Sequence, residues 1–142
     1  MRITDVLRRK GDQVVTISPT QTVRELLRLL SENRVGALVV SAGNGQVDGI
    51  ASERDVVRRL HSDGDGVLDR EVSAIMTAVV RTCVREDSLE DVMGAMTEHR
   101  IRHVPVLIEG RLAGIVSIGD LVKNRLEELQ AERDHLTAYI TS

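Results

Sequence analysis

The sequence predicts an α/β (α+β) protein built from two tandem βαββα repeats and a long C-terminal helix. The first observation is an internal repeat, because residues 49–55 align with residues 114–120, 65 positions later. The second is that short β-rich runs alternate with helical periodicity in both halves of the chain. The third is an amphipathic stretch at the end of the chain. We expect the first repeat to occupy residues 1–66 and the second to occupy residues 67–142.

Each repeat opens with a short β-rich run, over residues 14–17 and 80–84. A helix cap follows, because Thr22 and Ser88 each stand three residues before an acid, which is the spacing of a capping box. Apolar residues then recur at i, i+3, i+4 and i+7, which predicts one buried helical face in each repeat. These residues are Val23, Leu26, Leu27 and Leu30, then Leu89, Val92, Met93 and Met96.

Two further strands and a second helix complete each repeat. Residues 37–40 and 104–108 are continuous apolar runs, which predicts fully buried strands. Turns of hairpin type lead to the third strands, over residues 47–51 and 112–116. The turns are Asn44-Gly45 and Glu109-Gly110. The second helix of each repeat begins directly after its third strand.

A linker and a final helix follow from the remaining sequence. Residues 61–66 form a polar, glycine-rich linker between the repeats. We interpret it as a solvated loop, because Asp63 and Asp65 lack the downstream spacing of an EF-hand calcium loop. The last helix runs from about Asp120 to Tyr139 and has one apolar side. That side needs a partner surface, either the protein's own core or a second subunit.

Composition excludes several functional classes. The chain has 142 residues and a formal net charge of -3, so electrostatics do not favour a nucleic-acid partner. Tyr139 is its single aromatic residue, so a bound base would have to lie against aliphatic side chains. The single cysteine, Cys83, predicts a buried strand thiol and a cytoplasmic protein without an internal disulfide. We expect no membrane insertion, because no apolar run approaches about 20 residues. We also expect no signal peptide, because an acid and several arginines interrupt the N-terminal residues and no apolar core follows them.

The motif Gly-Ile-x-Ser-x-x-Asp occurs twice. Its serine and aspartate are Ser52 and Asp55 in the first copy and Ser117 and Asp120 in the second. Each serine should stand at the N-cap of a helix, with its aspartate one turn inside. One interpretation is a plain capping box, which stabilises the helix by about 0.5–2 kcal/mol and binds no ligand.

The other interpretation is a ribonucleotide site built from the same atoms. A helix N-terminus suits a phosphate, the serine hydroxyl can donate to it, and the aspartate can accept both hydroxyls of a ribose. The glycine that opens each motif, Gly49 or Gly114, would leave room beside the strand for a flat base.

Together these segments resemble the CBS domain, and the chain as a whole resembles the stand-alone bacterial CBS-pair proteins. The matching segments are residues 10–11, 14–17, 36–40, 49–55, 75–77, 100–106 and 114–122. The resemblance implies two repeats packed sheet to sheet around a pseudo-twofold axis, with two clefts between them. It also implies flat, disc-like homodimers and ligands such as AMP, ADP, ATP, NAD or S-adenosylmethionine.

The resemblance assigns roles in both clefts. In the first cleft Asp55 would hold the ribose and Ser52 would face the phosphate; in the second cleft Asp120 and Ser117 would do the same. The remaining candidate ligand-binding residues are Lys10, Thr16, Arg54, Val80, Arg102, His103, Val104 and Pro105. Val79 and Leu38 join Val80 and Val104 as candidates for base packing, and plain core packing is an equal alternative for all four.

Cationic residues are distributed unequally between the repeats. Arg102 and His103 align with Gly36 and Ala37, so the first repeat lacks this pair. Arg54 stands where the second repeat has a glycine and could supply the missing charge. This asymmetry predicts different affinities in the two clefts, although a surface arginine and a satisfied histidine explain the pair equally well.

No set of residues with catalytic spacing is present, so we expect no enzyme. The four histidines are not spaced as zinc ligands and no cysteine cluster supports them. The sequence therefore favours a regulatory sensor that binds an adenine nucleotide, requires no cofactor and signals to an unidentified protein. The alternative is a homodimeric interaction module that binds no nucleotide.

Overall fold

A computed structural model describes residues 1–11, 13–78 and 81–141. Two three-stranded sheets, each with its own helices, make up this part of the chain. The first half contains helix α1 (Ile3–Lys10), strand β1 (Thr16–Ile17), helix α2 (Val23–Asn33), strands β2 (Ala37–Val40) and β3 (Gly49–Ser52), and helix α3 (Glu53–Asp63). The second half contains strand β4 (Cys83–Val84), helix α4 (Leu89–His99), strands β5 (His103–Ile108) and β6 (Arg111–Ser117), and helix α5 (Ile118–Thr141).

The two sheets have the same topology. In the first, β1 lies parallel to β2, and β2 lies antiparallel to β3. In the second, β4 lies parallel to β5, and β5 lies antiparallel to β6. A parallel pair needs a crossover connection, which α2 and α4 supply. The order of elements is therefore βαββα twice, as the repeat predicts.

Local sequence explains where the first helix of each repeat begins and ends. The hydroxyls of Thr22 and Ser88 accept hydrogen bonds from backbone N–H groups three residues later. Both helices end at an arginine in the left-handed conformation, Arg34 and Arg100, each with a φ of 54°. Apolar residues between these ends face the sheets, since Leu26 and Met96 are almost fully buried. The sequence predicted both helix starts.

The two halves exchange segments: the core of each repeat contains a segment that adjoins the other repeat in the sequence. Ile3 and Val6 of α1 pack in the core of the second repeat with Leu89 and Leu121. Residues 65–75, which include two short 3-10 turns, pack in the core of the first repeat. The two hydrophobic cores therefore do not divide at the predicted boundary after residue 66, since residues 67–75 pack with the first repeat and helix α1 packs with the second.

The same exchange of segments explains why positions 49 and 114 are glycines. A Cβ on Gly49 would lie 2.8 Å from Met76 Sδ and 2.8 Å from the Thr77 carbonyl oxygen. A Cβ on Gly114 would lie 2.7 Å from Leu7 Cδ2. Residues 75–77 and helix α1 thus occupy the space beside these two strands. The interpretation that this space receives a base is wrong, because the chain itself fills it.

Direct contacts join the two halves. The Leu112 amide donates to the Gly45 carbonyl oxygen at 2.8 Å, between the turn of the first repeat and strand β6. Gly36 lies close to both Glu53 and His103, since a Cβ on Gly36 would be 3.9 Å from the His103 ring. The start of β5 therefore borders the start of α3.

Other predicted elements need correction. Strands β1 and β4 have two residues each rather than four and five, because only two residues in each pair with the neighbouring strand. Residues 61–63 belong to α3 rather than to a loop, and the helix ends at Gly64. Asp63, at the end of this helix, forms ion pairs with Arg59 and Arg70. Helix α1 was not predicted.

Two predictions about the surface and core can be compared with the structure. Cys83 is a buried free thiol on β4, as expected, and burial followed by the nearby Asp87 charge raises its pKa to about 12. Helix α5 starts slightly earlier and ends slightly later than predicted. In residues 1–11, 13–78 and 81–141, no helix is both long and apolar enough to cross a bilayer.

Candidate functional site

The first motif lies where strand β3 meets helix α3. Ser52 stands at the N-cap, and its hydroxyl accepts a hydrogen bond from the Asp55 amide at 3.2 Å. Asp55 Oδ2 accepts from the Ser52 amide at 2.9 Å and from the Ser52 hydroxyl at 3.0 Å. Its other oxygen, Oδ1, accepts from the Thr77 hydroxyl at 3.2 Å. Both carboxylate oxygens of Asp55 are therefore engaged within the chain.

The second motif has the same geometry where β6 meets α5. Asp120 Oδ2 accepts from the Ser117 amide at 2.9 Å, and the Asp120 amide donates to the Ser117 hydroxyl at 3.0 Å. The partner differs from that of the first motif, because the Lys10 ammonium donates to Asp120 Oδ2 at 2.7 Å. Lys10 also donates to the Ile115 carbonyl oxygen at 2.9 Å. Helix α1 is thus tied by its last residue to the start of α5.

Both motifs form capping boxes, so the structural interpretation of these residues is confirmed. A capping box does not by itself exclude a ligand, since a carboxylate has about four lone-pair sites. Asp120 Oδ1 accepts no hydrogen bond from the described residues. The second motif therefore retains an oxygen for a ligand, whereas the first would have to release Thr77.

The electrostatics of the second motif favour an ionised carboxylate. Burial raises the pKa of Asp120, but hydrogen bonds from Lys10 and Ser117 outweigh burial and hold this pKa below its usual value. His103 is half-buried nearby, and burial first, then the charges of Lys10 and Arg102, lower its pKa. Asp120 and Glu53 oppose that shift. A neutral imidazole and an ion pair therefore lie at the junction of the two halves.

A cavity of about 300 Å³ opens beside Asp120. Helices α1 and α5 line it with three cationic side chains, Arg9, Lys10 and Lys123, and with two acidic ones, Asp120 and Glu127. Arg9 is held in place by hydrogen bonds to Asn124 at 3.1 Å and Glu127 at 2.7 Å. Such a cavity can hold a polar, anionic group next to the second motif.

A second cavity, of about 180 Å³, borders strand β4 and helix α4. Its walls include Val92, Ile101 and Val104, and Arg81 lies at its edge. Val104 is almost fully buried and belongs to the core of the second repeat. Val104 therefore packs in the core and also borders a recess that apolar and charged side chains line together.

Comparison with known proteins decides the family. The model of the CBS domain matches residues 3–62 and 72–127. The chain belongs to the CBS-domain family. The CBS domain-containing protein YhcV from Bacillus subtilis is 35% identical over 120 residues, which are 84% of this chain and 84% of that protein.

Solved CBS structures have the same fold. The CBS-domain protein ATU1752 from Agrobacterium tumefaciens superimposes with a TM-score of 0.84 and 42% identity, covering 88% of this chain and 99% of that one. The CBS domain protein PAE2072 from Pyrobaculum aerophilum, solved in complex with AMP, gives a TM-score of 0.75 and 30% identity, covering 84% and 89% of the two chains. The predicted fold, tandem CBS repeats packed sheet to sheet with a long final helix, is confirmed.

The structure brings only part of the predicted set together in this CBS pair. Lys10, His103, Ser117 and Asp120 gather at the start of α5. Arg102 contributes its charge there, while its side chain is exposed and its carbonyl oxygen accepts from the Ile118 amide.

Other predicted residues lie apart from that group. Thr16 is exposed on β1 opposite Val39, and Arg54 is exposed in the first turn of α3. Pro105 is buried in β5 and pairs with Ile115. Val80 and its neighbour Val79 fall outside the described residues. The roles of these residues as ligand contacts stay predictions.

Sequence reasoning missed several residues around the CBS motifs. Thr77 binds Asp55 although it lies 22 residues away, and only its place in a family-matched segment pointed to it. Glu53 faces His103 across the junction of the repeats. Arg9 and Lys123 line the larger cavity, and no sequence signal marked either, because α1 itself was not predicted.

Proposed function

We propose that this CBS pair is a non-catalytic sensor that binds an adenine nucleotide, foremost in the second cleft. The observation that carries the proposal is the group at the start of α5. There a carboxylate with one unbonded oxygen and the Lys10 ammonium line a cavity of about 300 Å³, and the Ser117 hydroxyl is hydrogen-bonded to the amide of the same aspartate. A relative of the same fold, PAE2072, has been solved with AMP, which supports this class of ligand.

The proposed division of labour follows from the chemistry of each group. Asp120 accepts the ribose hydroxyls, because a carboxylate is a strong acceptor for a vicinal diol. The Ser117 hydroxyl and the positive end of the α5 helix dipole meet the 5′-phosphate. Lys10 exchanges its ion pair with Asp120 for one with the phosphate. His103 and Arg102 border the phosphate from the side of β5.

The base requires an apolar slot without aromatic stacking, because the chain has one aromatic residue. Val104, Pro105 and Val80 are the proposed slot residues of the second repeat. Aliphatic contact supplies about 25 cal/mol per Å² of apolar surface buried, which suffices to hold a base once the ribose is anchored.

The first cleft is proposed as the weaker site. Both oxygens of Asp55 are engaged by Ser52 and Thr77, so a ribose must compete with two groups of the chain. Arg54 is exposed on α3 and is the proposed source of positive charge for this cleft, with Thr16 as a further polar contact. We therefore expect the nucleotide to bind more weakly in the first cleft than in the second.

The rest of the proposal concerns ligand identity and context. AMP, ADP, ATP and NAD share the adenosine 5′-phosphate that these groups would recognise, and S-adenosylmethionine shares the adenosine. We infer that ligand binding is the function itself and requires no cofactor or catalytic step. We place the protein in the cytoplasm as a homodimer that signals to a downstream protein without contacting nucleic acid or inserting into a membrane.

A thermal-shift screen tests the proposal. A ligand that binds only the folded state stabilises it by about 2.7 kcal/mol at a hundredfold excess over Kd. For a domain of this size the melting temperature should rise by several degrees with AMP, ADP, ATP, NAD or S-adenosylmethionine. The shift should shrink strongly in Asp120→Ala, less in Asp55→Ala, and not in Glu25→Ala, which removes an acid at the same helix position of α2. No shift with any of the five compounds would refute the proposal.

Lys10 offers a sharper prediction about the phosphate. Replacing Lys10 with Met should weaken AMP binding about tenfold, because a hydrogen bond to a charged group contributes roughly 1.5–3 kcal/mol. Adenosine, which has no phosphate, should bind Lys10→Met at least as well as the parent protein, because Asp120 is then unpaired. Arg8→Met, which removes an exposed cation of the same helix, should change neither affinity. Equal losses for AMP and adenosine would contradict this role; titration calorimetry measures both.

A second candidate function is a homodimeric interaction module that binds no nucleotide. The complete capping boxes at Ser52 and Ser117 favour it, because capping alone explains why these residues are present. It predicts that Asp55→Ala and Asp120→Ala lower stability and change nothing else. The ligand screen therefore separates the two candidates.

A further inference from the structure

His103 lies where the two repeats meet. It is the first residue of β5 and stands directly opposite Ser117 of β6. Side chains at directly opposite positions of an antiparallel pair share one face of the sheet, with Cβ atoms about 4.5–5.5 Å apart. Towards the first repeat, a Cβ on Gly36 would lie 3.9 Å from the imidazole and 3.2 Å from Glu53 Oε1. The imidazole therefore lies between the N-cap of α5 and the first residue of α3.

Charged groups from several parts of the fold act on this imidazole. The cations are Lys10, the last residue of α1, and Arg102, which precedes β5. The carboxylates are Asp120 in the first turn of α5 and Glu53 at the start of α3. Burial and the two cations lower the pKa of His103, whereas the two carboxylates act in the opposite direction. The imidazole is therefore neutral at pH 7 and has both cations and anions around it.

A phosphate in the second cleft would change this balance of charges. The Ser117 hydroxyl is the proposed phosphate contact and lies across the sheet from His103. A phosphate monoester carries about 1.5 to 2 negative charges at pH 7, and it would compensate the Lys10 and Arg102 charges that now disfavour an imidazolium. An opposite charge within about 4–6 Å favours the charged form of a titratable group, so a bound phosphate raises the pKa of His103.

We propose that a phosphate-bearing nucleotide enters the second cleft together with one proton, which His103 takes up from solvent. This inference rests on the nucleotide site proposed above and adds a regulation of that site by pH. The imidazolium then donates an N–H to a phosphate oxygen, and the carboxylates of Asp120 and Glu53 stabilise its charge from the two sides. Adenosine offers no such oxygen and leaves the ring neutral.

Proton linkage gives the sign of the pH effect. The pKa of His103 in the free protein lies below its ordinary value of 6.5, and the bound phosphate raises it. Between the free and the bound pKa, binding takes up a proton, so affinity falls as pH rises, by up to about tenfold per pH unit. The ligand does not cause this dependence above pH 7, because the second pKa of a phosphate monoester is about 6.

Titration calorimetry with AMP tests the coupling. Measurements at pH 7.5 in two buffers with different enthalpies of ionisation count the protons taken up, and we expect about half a proton or more per AMP bound by the parent protein. The affinity of the parent protein for AMP should be about threefold or more lower at pH 8.5 than at pH 7.0. His103→Gln should lose both effects, and His99→Gln, the matched replacement at the exposed end of α4, should retain both. Adenosine should bind without proton uptake.

The outcomes separate this inference from the nucleotide site itself. Binding of AMP by the parent protein without proton uptake would overturn the coupling and leave the nucleotide site in place, and this comparison needs no variant. Equal proton uptake by His103→Gln and the parent protein would overturn the assignment to His103. Absence of AMP binding at every pH would refute the nucleotide site, and the coupling with it.

Discussion

At the scale of single residues, His103 links the two halves of the molecule through charge. Its ring borders Gly36, and its pKa responds to Lys10, Arg102, Asp120 and Glu53. Burial is the largest influence and lowers the pKa of His103 below its ordinary value of 6.5. The folded protein therefore holds this histidine neutral at a pH where the unfolded chain begins to bind a proton.

This shift predicts how stability depends on pH. Where the unfolded state binds more protons than the folded state, the free energy of unfolding falls as pH falls. Stability contributed by neutral His103 should be complete above the unfolded pKa of about 6.5 and should be lost as pH drops through that value towards the folded pKa. Urea unfolding of His103→Gln should lose less stability between pH 7.5 and pH 5.5 than the parent protein.

The histidine prediction has an internal control. His99→Gln at the exposed end of α4 is the matched histidine replacement against which the effect of His103→Gln is compared. Asp120 does not complicate this comparison, because its lowered pKa affects stability only at more acidic pH, below its ordinary value of 3.8. Identical slopes for His103→Gln and the parent protein would contradict the assignment.

At the scale of elements, the capping serines contribute to stability whether or not a nucleotide binds. Ser52→Ala and Ser117→Ala each remove an N-cap acceptor and should lower the free energy of unfolding by about 0.5–2 kcal/mol. Ser62→Ala is the control, because its hydroxyl lies on the exposed last turn of α3. Denaturant unfolding without ligand measures all three. Unchanged stability in both cap variants would show that the serines are not held as the structure describes.

The two strand glycines should tolerate a methyl group unequally. At Gly49 the added Cβ would meet the Thr77 carbonyl oxygen, which belongs to the backbone and cannot move aside. At Gly114 it would meet the end of the Leu7 side chain, which can rotate. Overpacking typically costs about 1–3 kcal/mol, and Gly49→Ala should lie at the upper end with Gly114→Ala below it. The reverse order in thermal unfolding would contradict the described packing.

Helices and strands differed in how well the sequence predicted them. Helices α2 and α4 were predicted to their first residue, because the cap and the apolar period are both local signals. Strand β1 was predicted too long, since Val14 and Val15 have β propensity but no pairing partner. Helix α1 was missed because its stability comes from packing Ile3 and Val6 into the distant second repeat.

The candidate site could be predicted only in part, because some of its contacts are local in sequence and others are long-range. The motif that carries Ser117 and Asp120 is local and was found from spacing alone. Lys10 was a candidate, but its ion pair with Asp120 spans 110 residues, and only the folded chain reveals it. The cavity beside Asp120 depends on α1 packing against α5, which no pattern in the sequence indicated.

At the scale of the whole molecule, the exchange of segments couples the two repeats. Helix α1 precedes the first repeat yet packs in the core of the second, and residues 65–75 precede the second repeat yet pack in the core of the first. A ligand that withdraws Lys10 from Asp120 would therefore act on α1, and through the following chain on the first repeat. This connection is a route by which binding in one cleft can reach the rest of the module.

Titration calorimetry with AMP on the parent protein, Asp55→Ala and Asp120→Ala tests the central claim most directly, because AMP is the smallest nucleotide that contains both the ribose and the 5′-phosphate. We expect the parent protein to bind AMP, Asp120→Ala to lose at least about tenfold in affinity through the missing charged hydrogen bonds, and Asp55→Ala to lose less. Absence of measurable binding by the parent protein, or an affinity that Asp120→Ala leaves unchanged, would contradict the assignment of a nucleotide to the second cleft.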